Sequence, residues 1–168
     1  MIVDSALSWG PHVEYTVKNA SKKLWLLIRF KNLGATRDQL LELYQLKSRC
    51  LAEFVSPAFH GALTLQQSND LEMLQKKSFD IILGSNYKSY KNALRTLSQD
   101  TLHSRRLKLW SNFAIKCTKH PRHSDLFKAN PRYANNSRKK DKFIQSKARI
   151  TRYYKSDVPF LKRLLNST

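Results

Sequence analysis

Between Pro11 and Leu33 the apolar residues Val13, Val17, Ala20, Leu24, Leu27 and Ile28 return at intervals of three and four, or next to one another. That spacing constrains the fold more than any other feature, because at about 100° per residue it gathers these side chains on one side of a helix. The stretch "LEMLQKKSFDIILG", residues 71–84, repeats the pattern. Leu71, Leu74, Ser78, Ile81 and Ile82 share a side that wants a core, and Lys76 and Lys77 fall outside it. Between these two helices "TRDQ" reads as a capping box, with Thr36 as N-cap and Gln39 reaching back, and predicts a second helix to about Val55. Its wide apolar arc of Leu40, Leu43, Tyr44, Cys50, Leu51 and Phe54 predicts a place in a bundle centre. "TLQQ", at Thr64 and Gln67, is a second capping box and opens the third helix.

Punctuation is sparse and falls at the ends of these segments. Pro11 suits a first turn, Gly34 and Gly84 suit the position just past a helix, and Pro57 and Pro121 are expected to stop helices. A short helix is expected from about Ser89 to Leu97 and a longer one from about Thr101 to Lys119. Strands have little support, since no run of period two bounded by turn residues follows the first few positions. The expected fold class is all-α: a bundle of about four to five helices over residues 11–119, preceded by a lead-in over residues 1–10. Residues 120–168 read as a basic, partly disordered C-terminal arm, poor in aliphatic side chains. Its last stretch, "VPFLKRLLN", is expected to form a short amphipathic helix.

At 168 residues, 41% apolar and 11% aromatic, the chain has enough material for a core. Its charge points outward: 31 Lys and Arg against 12 Asp and Glu leave a net +19. Residues 1–84 hold 10 basic and 8 acidic residues, whereas residues 85–168 hold 21 and 4. A surface of this sign attracts polyanions. Anionic lipid would draw the same lysines to a membrane surface, but no run approaches the roughly 20 apolar residues of a span. Two cysteines, Cys50 and Cys117, make no disulfide framework, and the N-terminus lacks the pattern of a secretory signal. An intracellular protein, nuclear or cytoplasmic, is expected.

Catalytic chemistry is not evident. Phosphoryl transfer by two metals needs closely spaced carboxylates, and the eight aspartates are scattered with no adjacent pair. "CTKHPRH" brings Cys117, His120 and His123 near one another, yet three ligands around Pro121 match no closed four-ligand spacing, and Cys117 falls on the apolar side of its helix. His123 and Asp125 have the spacing that opens an iron facial triad, but no histidine follows His123. No glycine-rich phosphate loop and no nucleophile elbow occurs. No catalytic residue, metal site, cofactor or small-molecule substrate is expected.

Basic residues interleaved with aromatics remain. On the first helix Trp25 lies about 100° from the centre of the apolar arc with Lys18, Lys22 and Arg29 around it, a set that can stack on a base while its cations meet phosphates. The alternative is a tryptophan packed on a neighbouring element under lysine stems. "RITRYYKS" repeats the theme with Arg149, Arg152, Tyr153 and Tyr154, and the alternative there is a solubilising tail. Lys76, Lys77, Lys88, Lys91, Arg95, Arg105, Lys108, Arg138, Lys139 and Lys140 complete the candidate nucleic-acid-binding set. In "HSRRLKLW" Arg106 falls on the side of Leu102, Leu109 and Phe113 while Lys108 points away. A guanidinium there needs a carboxylate or carbonyls. Glu53 is the expected partner of Arg106, or of Arg105 beside it.

Several segments together resemble a known family. "LSWGPHVEYTVKNASKKLWLLIRFKNLG", "LAEFVSPAFHGALT", "LEMLQKKSFDIILGSNYKSYKNALRTL", "LHSRRLKLWSNFAIK" and "SDVPFLKRLLN" are similar, in sequence and spacing, to the C-terminal part of jockey-like and related non-LTR retrotransposon reverse transcriptases. The similarity covers nearly the whole chain and includes no catalytic motif. It implies a helical thumb and post-thumb region that grips a template-primer duplex or RNA–DNA hybrid through its backbone, with Lys76, Lys77, Arg105 and Arg106 at positions that look basic in the family. The family's fingers and palm, with the Mg²⁺-binding aspartate pair of the RNA-directed DNA polymerase, would lie upstream, and Met1 comes only a few residues before "LSW". A copy truncated ahead of the active site is expected, residues 1–10 being a remnant of the palm-to-thumb connection. Such a fragment either binds nucleic acid without sequence preference, or is inert or dependent on the missing palm as its partner. The first helix and the start of the second also resemble a short helical segment at the N-terminus of an AlkB-type tRNA-modifying enzyme, whose iron ligands and methyl-donor site have no counterpart here.

Overall fold

Pro11 lacks an N–H that a first helical turn leaves unpaired in any case, and it sits at the start of the first helix. In a computed structural model, which describes residues 2, 8–123, 125–130, 141–145, 147 and 149–167, helix α1 runs Gly10–Asn32. It ends in a Schellman motif: Gly34, at φ +84°, donates to the Lys31 carbonyl at 3.0 Å, and Ala35 donates to Phe30 at 3.0 Å. Both capping boxes form. Thr36 accepts from the Gln39 N–H at the start of α2 (Arg37–Tyr44), and Thr64 does the same for Gln67 at the start of α5 (Leu65–Leu83). Between them lie α3 (Cys50–Glu53) and α4 (Ser56–Phe59), so Pro57 sits in a short helix of its own. Then follow α6 (Tyr90–Thr96), N-capped by Ser89, α7 (Leu102–Lys119), α8 (Thr151–Lys155) and α9 (Asp157–Ser167). The chain is all-α; among the described residues the extended structure is an isolated antiparallel bridge between Ala129 and Phe143.

The chain divides into two compact units. The first comprises residues 1–56 and 63–106, the second residues 57–62 and 107–168. The expected bundle over residues 11–119 thus contributes to both, and the first turn of α7 belongs to one unit while its remainder belongs to the other.

In the first unit α1 packs along α5, and α2 and α6 close around them. The core gathers Leu27, Leu40, Tyr44, Phe79, Ile82, Leu83, Ala93 and Leu97, with the Tyr44 and Phe79 rings edge to face at 5.5 Å. Lys31 ties the end of α1 to the end of α5, its ammonium donating to the Ile81 carbonyl, where the negative end of a helix dipole favours a cation. Two expectations fail in this unit. Cys50 and Phe54, read as part of a buried arc, are exposed, and Ser48 and Ala52 are buried in their place. The cause is a π-helical turn over Gln45–Arg49, which widens the helix and makes the buried face read Leu40, Tyr44, Ser48, Ala52, every fourth residue. On α1 the buried arc is likewise rotated, taking in His12 and Thr16 and leaving Ile28 exposed.

The second unit is built on Trp110. Its ring stacks on Phe160 at 3.8 Å and takes the edge of His60 at 5.1 Å, and Ala114, Cys117, Phe127, Phe143 and Leu161 extend that core. Residues read as an arm therefore supply Phe127, Phe143, Phe160 and Leu161 to it. Asn166 of α9 holds Phe143 by both backbone groups, accepting its N–H at 2.9 Å and donating to its carbonyl at 3.1 Å. Phe113, expected on the buried side of α7, is exposed, because the buried positions run Leu102, Arg106, Trp110, Ala114 and Cys117. Among the described residues no helix is long and apolar enough to cross a membrane.

Two helix ends offer a matched test of backbone strain. Gly34 has no atom within 4 Å of where a Cβ would stand, so Gly34→Ala suffers conformationally alone and should lose about 1–2 kcal/mol. Ser98 occupies the same role after α6 at φ +51°, donating to Arg95 while Gln99 donates to Leu94. Ser98→Gly should therefore gain up to about 1 kcal/mol. Urea denaturation of the three proteins checks both signs.

Candidate nucleic-acid interface

Where the cations stand depends on where the acids are held. Glu72, on α5, turns to the start of α7 and accepts the N–H groups of Leu102 and His103, each at 3.2 Å, as well as the Tyr90 hydroxyl. A carboxylate there meets N–H groups that have no partner within their own helix and the positive end of its dipole. Glu53 is bidentate with Arg105, one contact being Nη2 to Oε2 at 3.2 Å, and lies 3.7 Å from the Arg49 Nε. The hydrogen bond to Glu53 raises the Arg105 pKa above its usual value.

The ion pair assigned to Glu53 and Arg106 is thereby corrected: Arg105 makes it. Arg106 follows Leu102 by one helical turn and is carried to the buried side, where it is fully enclosed. Its Nη2 donates to Ser68 at 3.3 Å, and its Nε and Nη1 have no hydrogen-bond partner among the described residues. Burial lowers its pKa, with Glu72 and Glu53 opposing. Arg105, 100° further round, reaches α3 instead.

On α1 the structure brings together the set read from the sequence. Lys18, Lys22, Trp25 and Arg29, joined by Tyr15, lie on one strip of the helix, and all five are exposed. The Trp25 ring is 56% exposed and carries the Arg29 guanidinium 5.2 Å from its centroid, so it is not packed under a neighbouring element. Lys18 and Lys77 line a groove of about 630 Å³ between α1 and α5, whose other walls include Glu14 and Asp70. Lys22 faces a separate groove of about 460 Å³ with Tyr15, Lys23 and Phe54.

The remaining candidates are dispersed. Lys76 is half-buried with its ammonium 5.4 Å from the Tyr90 ring centroid. Lys88, Lys91 and Arg95 are exposed before and along α6. Arg105 is engaged by Glu53. In the second unit Lys108, Arg149, Tyr153 and Tyr154 are exposed, and Tyr154 is covered on one face by Arg163 at 3.7 Å. Arg138, Lys139, Lys140 and the Arg152 side chain lie outside the described residues. Sequence reasoning missed Tyr15 and Arg163; the steps of three residues from Tyr15 to Lys18 and seven to Lys22 were the available signal for the first. His120 and His123 stand with ring centroids 5.0 Å apart, and burial raises the pKa of Cys117. Among the described residues no three His, Cys, Asp or Glu side chains gather closely enough to hold a metal ion. Comparison with known protein families, with curated proteins and with solved structures finds no match for this chain.

The inward-facing hydroxyls have a consequence in alkali. Burial raises the Tyr44 pKa above 10.0, and burial together with the bond to Glu72 raises that of Tyr90. Each phenol stays neutral in the folded chain after it would ionise in the unfolded one, so their contribution to stability is complete below about pH 10 and falls as pH rises beyond it. Ultraviolet titration should show two of the seven tyrosines ionising only as the chain unfolds. Tyr44→Phe and Tyr90→Phe should each remove one of them.

Proposed function

We propose that this chain is a helical module that binds nucleic acid through the phosphate backbone without reading sequence, and that it is related to the thumb and post-thumb region of non-LTR retrotransposon reverse transcriptases. The carrying observation is the state of its cations. Among the described residues Lys18, Lys22, Arg29, Lys77, Lys88, Lys91 and Arg95 are ion-paired with no carboxylate, whereas Glu53 and Glu72 are spent on internal contacts. A net charge of +19 therefore stands largely at the surface. Duplex or RNA–DNA hybrid is the expected ligand class, and no catalytic residue is assigned.

A second reading is a segment that works only when packed against another part of a polymerase. It is favoured by a largely apolar groove of about 300 Å³, lined by Phe30, Ala35, Leu40, Leu43 and Leu46 with Gln39 and Glu42, and by Leu33, which is 82% exposed. Sedimentation separates the two: a monomer supports the free-standing module, and concentration-dependent association supports the second reading.

Binding through roughly six phosphates gives a slope near −5 in log K against log salt, about three powers of ten between ~50 and ~200 mM. Fluorescence anisotropy with a labelled duplex measures it. A salt-insensitive curve contradicts the proposal.

A further inference from the structure

The strip on α1 carries aromatic rings as well as cations, and the rings distinguish between kinds of nucleic acid. Tyr15 and Trp25 are each 56% exposed, and ten residues of helix set them ~15 Å apart on one face. Lys18 and Lys22 stand between them, and Arg29 lies beyond Trp25 against one side of its ring. Packing requires neither ring to be exposed: the core of this unit already holds Tyr44 and Phe79 in edge contact, and the opposite side of α1 supplies Leu27 to it.

In a duplex the base faces are covered by their neighbours, ~3.4 Å away along each strand. Two rings ~15 Å apart cannot both cover the end of one such stack, so a duplex end satisfies at most one of them. A single strand with splayed bases can offer a base to each ring while the intervening phosphates meet Lys18 and Lys22. We infer that the exposed face of α1 from Tyr15 to Arg29 is a single-strand binding platform, with Trp25 and Tyr15 stacking on bases and Lys18 and Lys22 holding the backbone between them. It rests on the backbone-binding reading above but departs from its duplex or hybrid ligand class, which the general charge alone would favour for its denser phosphates.

The full chain is titrated with a labelled 12-nucleotide oligothymidylate and with a blunt duplex of the same length, at one low salt concentration. The single strand should bind at least about tenfold more tightly, and Trp25→Ala should weaken it by roughly 5- to 100-fold while leaving the duplex nearly unchanged. Trp25→Phe, which keeps a stacking face, should restore most of the loss. Tyr15→Ala should act in the same direction, and Lys18→Ala with Lys22→Ala should weaken both ligands. A single-strand to duplex ratio untouched by Trp25→Ala, or a preference for the duplex, overturns the inference and leaves backbone binding standing. Failure of both ligands to bind overturns both.

Discussion

Gln75 is a wholly enclosed amide in the middle of α5, and the first unit is organised around it. Its oxygen accepts from the Tyr44 hydroxyl at 2.8 Å, and its nitrogen donates to the Tyr90 hydroxyl at 3.0 Å and to the Asp100 carbonyl at 2.8 Å. One side chain thereby joins α2, α6 and the approach to α7. A buried amide left unpaired costs on the order of 1–3 kcal/mol, so the packing that satisfies every partner is favoured over near alternatives of the same apolar contacts. Tyr90 then passes the network to Glu72, which terminates it on the first turn of α7.

Composition makes the surface cationic, and the use of carboxylates inside adds to it. Carboxylates are scarce in this chain, and two of them are turned inward. Glu72 neutralises a helix start, and Glu53 neutralises Arg105 beside Arg49. Each carboxylate used for cohesion is one fewer to balance an exposed lysine. Arg106, enclosed with a serine for company, shows the opposite economy: a cation withdrawn from the surface into the structure. What remains outside on α1 is a run of lysine, tryptophan and arginine with no carboxylate partner among the described residues, and the nucleic-acid reading starts from that.

Features set within four or five residues were legible in the sequence. Thr36 with Gln39, Thr64 with Gln67, and Gly34 at a left-handed position each depend only on local geometry, and each is found as expected. The burial of Leu71, Leu74 and Ser78 followed from period alone, whereas period left Trp25 open between exposure and packing under a neighbour, and the structure shows it exposed. Features that depend on what arrives from elsewhere were not legible. A π-helical turn at Gln45–Arg49 changes the phase of everything after it, and no residue in "QLKSR" announces it. Choosing between Arg105 and Arg106 required knowing on which side α3 lies, since both are on one helical turn. Gln75 reads as polar and is buried, because its partners come from residues 15 to 31 positions away. Phe127 and Phe143 each have one apolar neighbour, Leu126 and Ile144, in polar surroundings, so periodicity could not reveal that they join the core of Trp110.

A polyanion settling on the open face of α1 is reported most directly by amide and indole chemical shifts. Adding an oligonucleotide at low ionic strength should shift the Trp25 indole and the backbone from Tyr15 to Arg29. The enclosed Trp110 indole and the residues around Gln75 should stay in place. An unmoved Trp25 with shifts confined to other helices, or no shift anywhere, would contradict binding on that face.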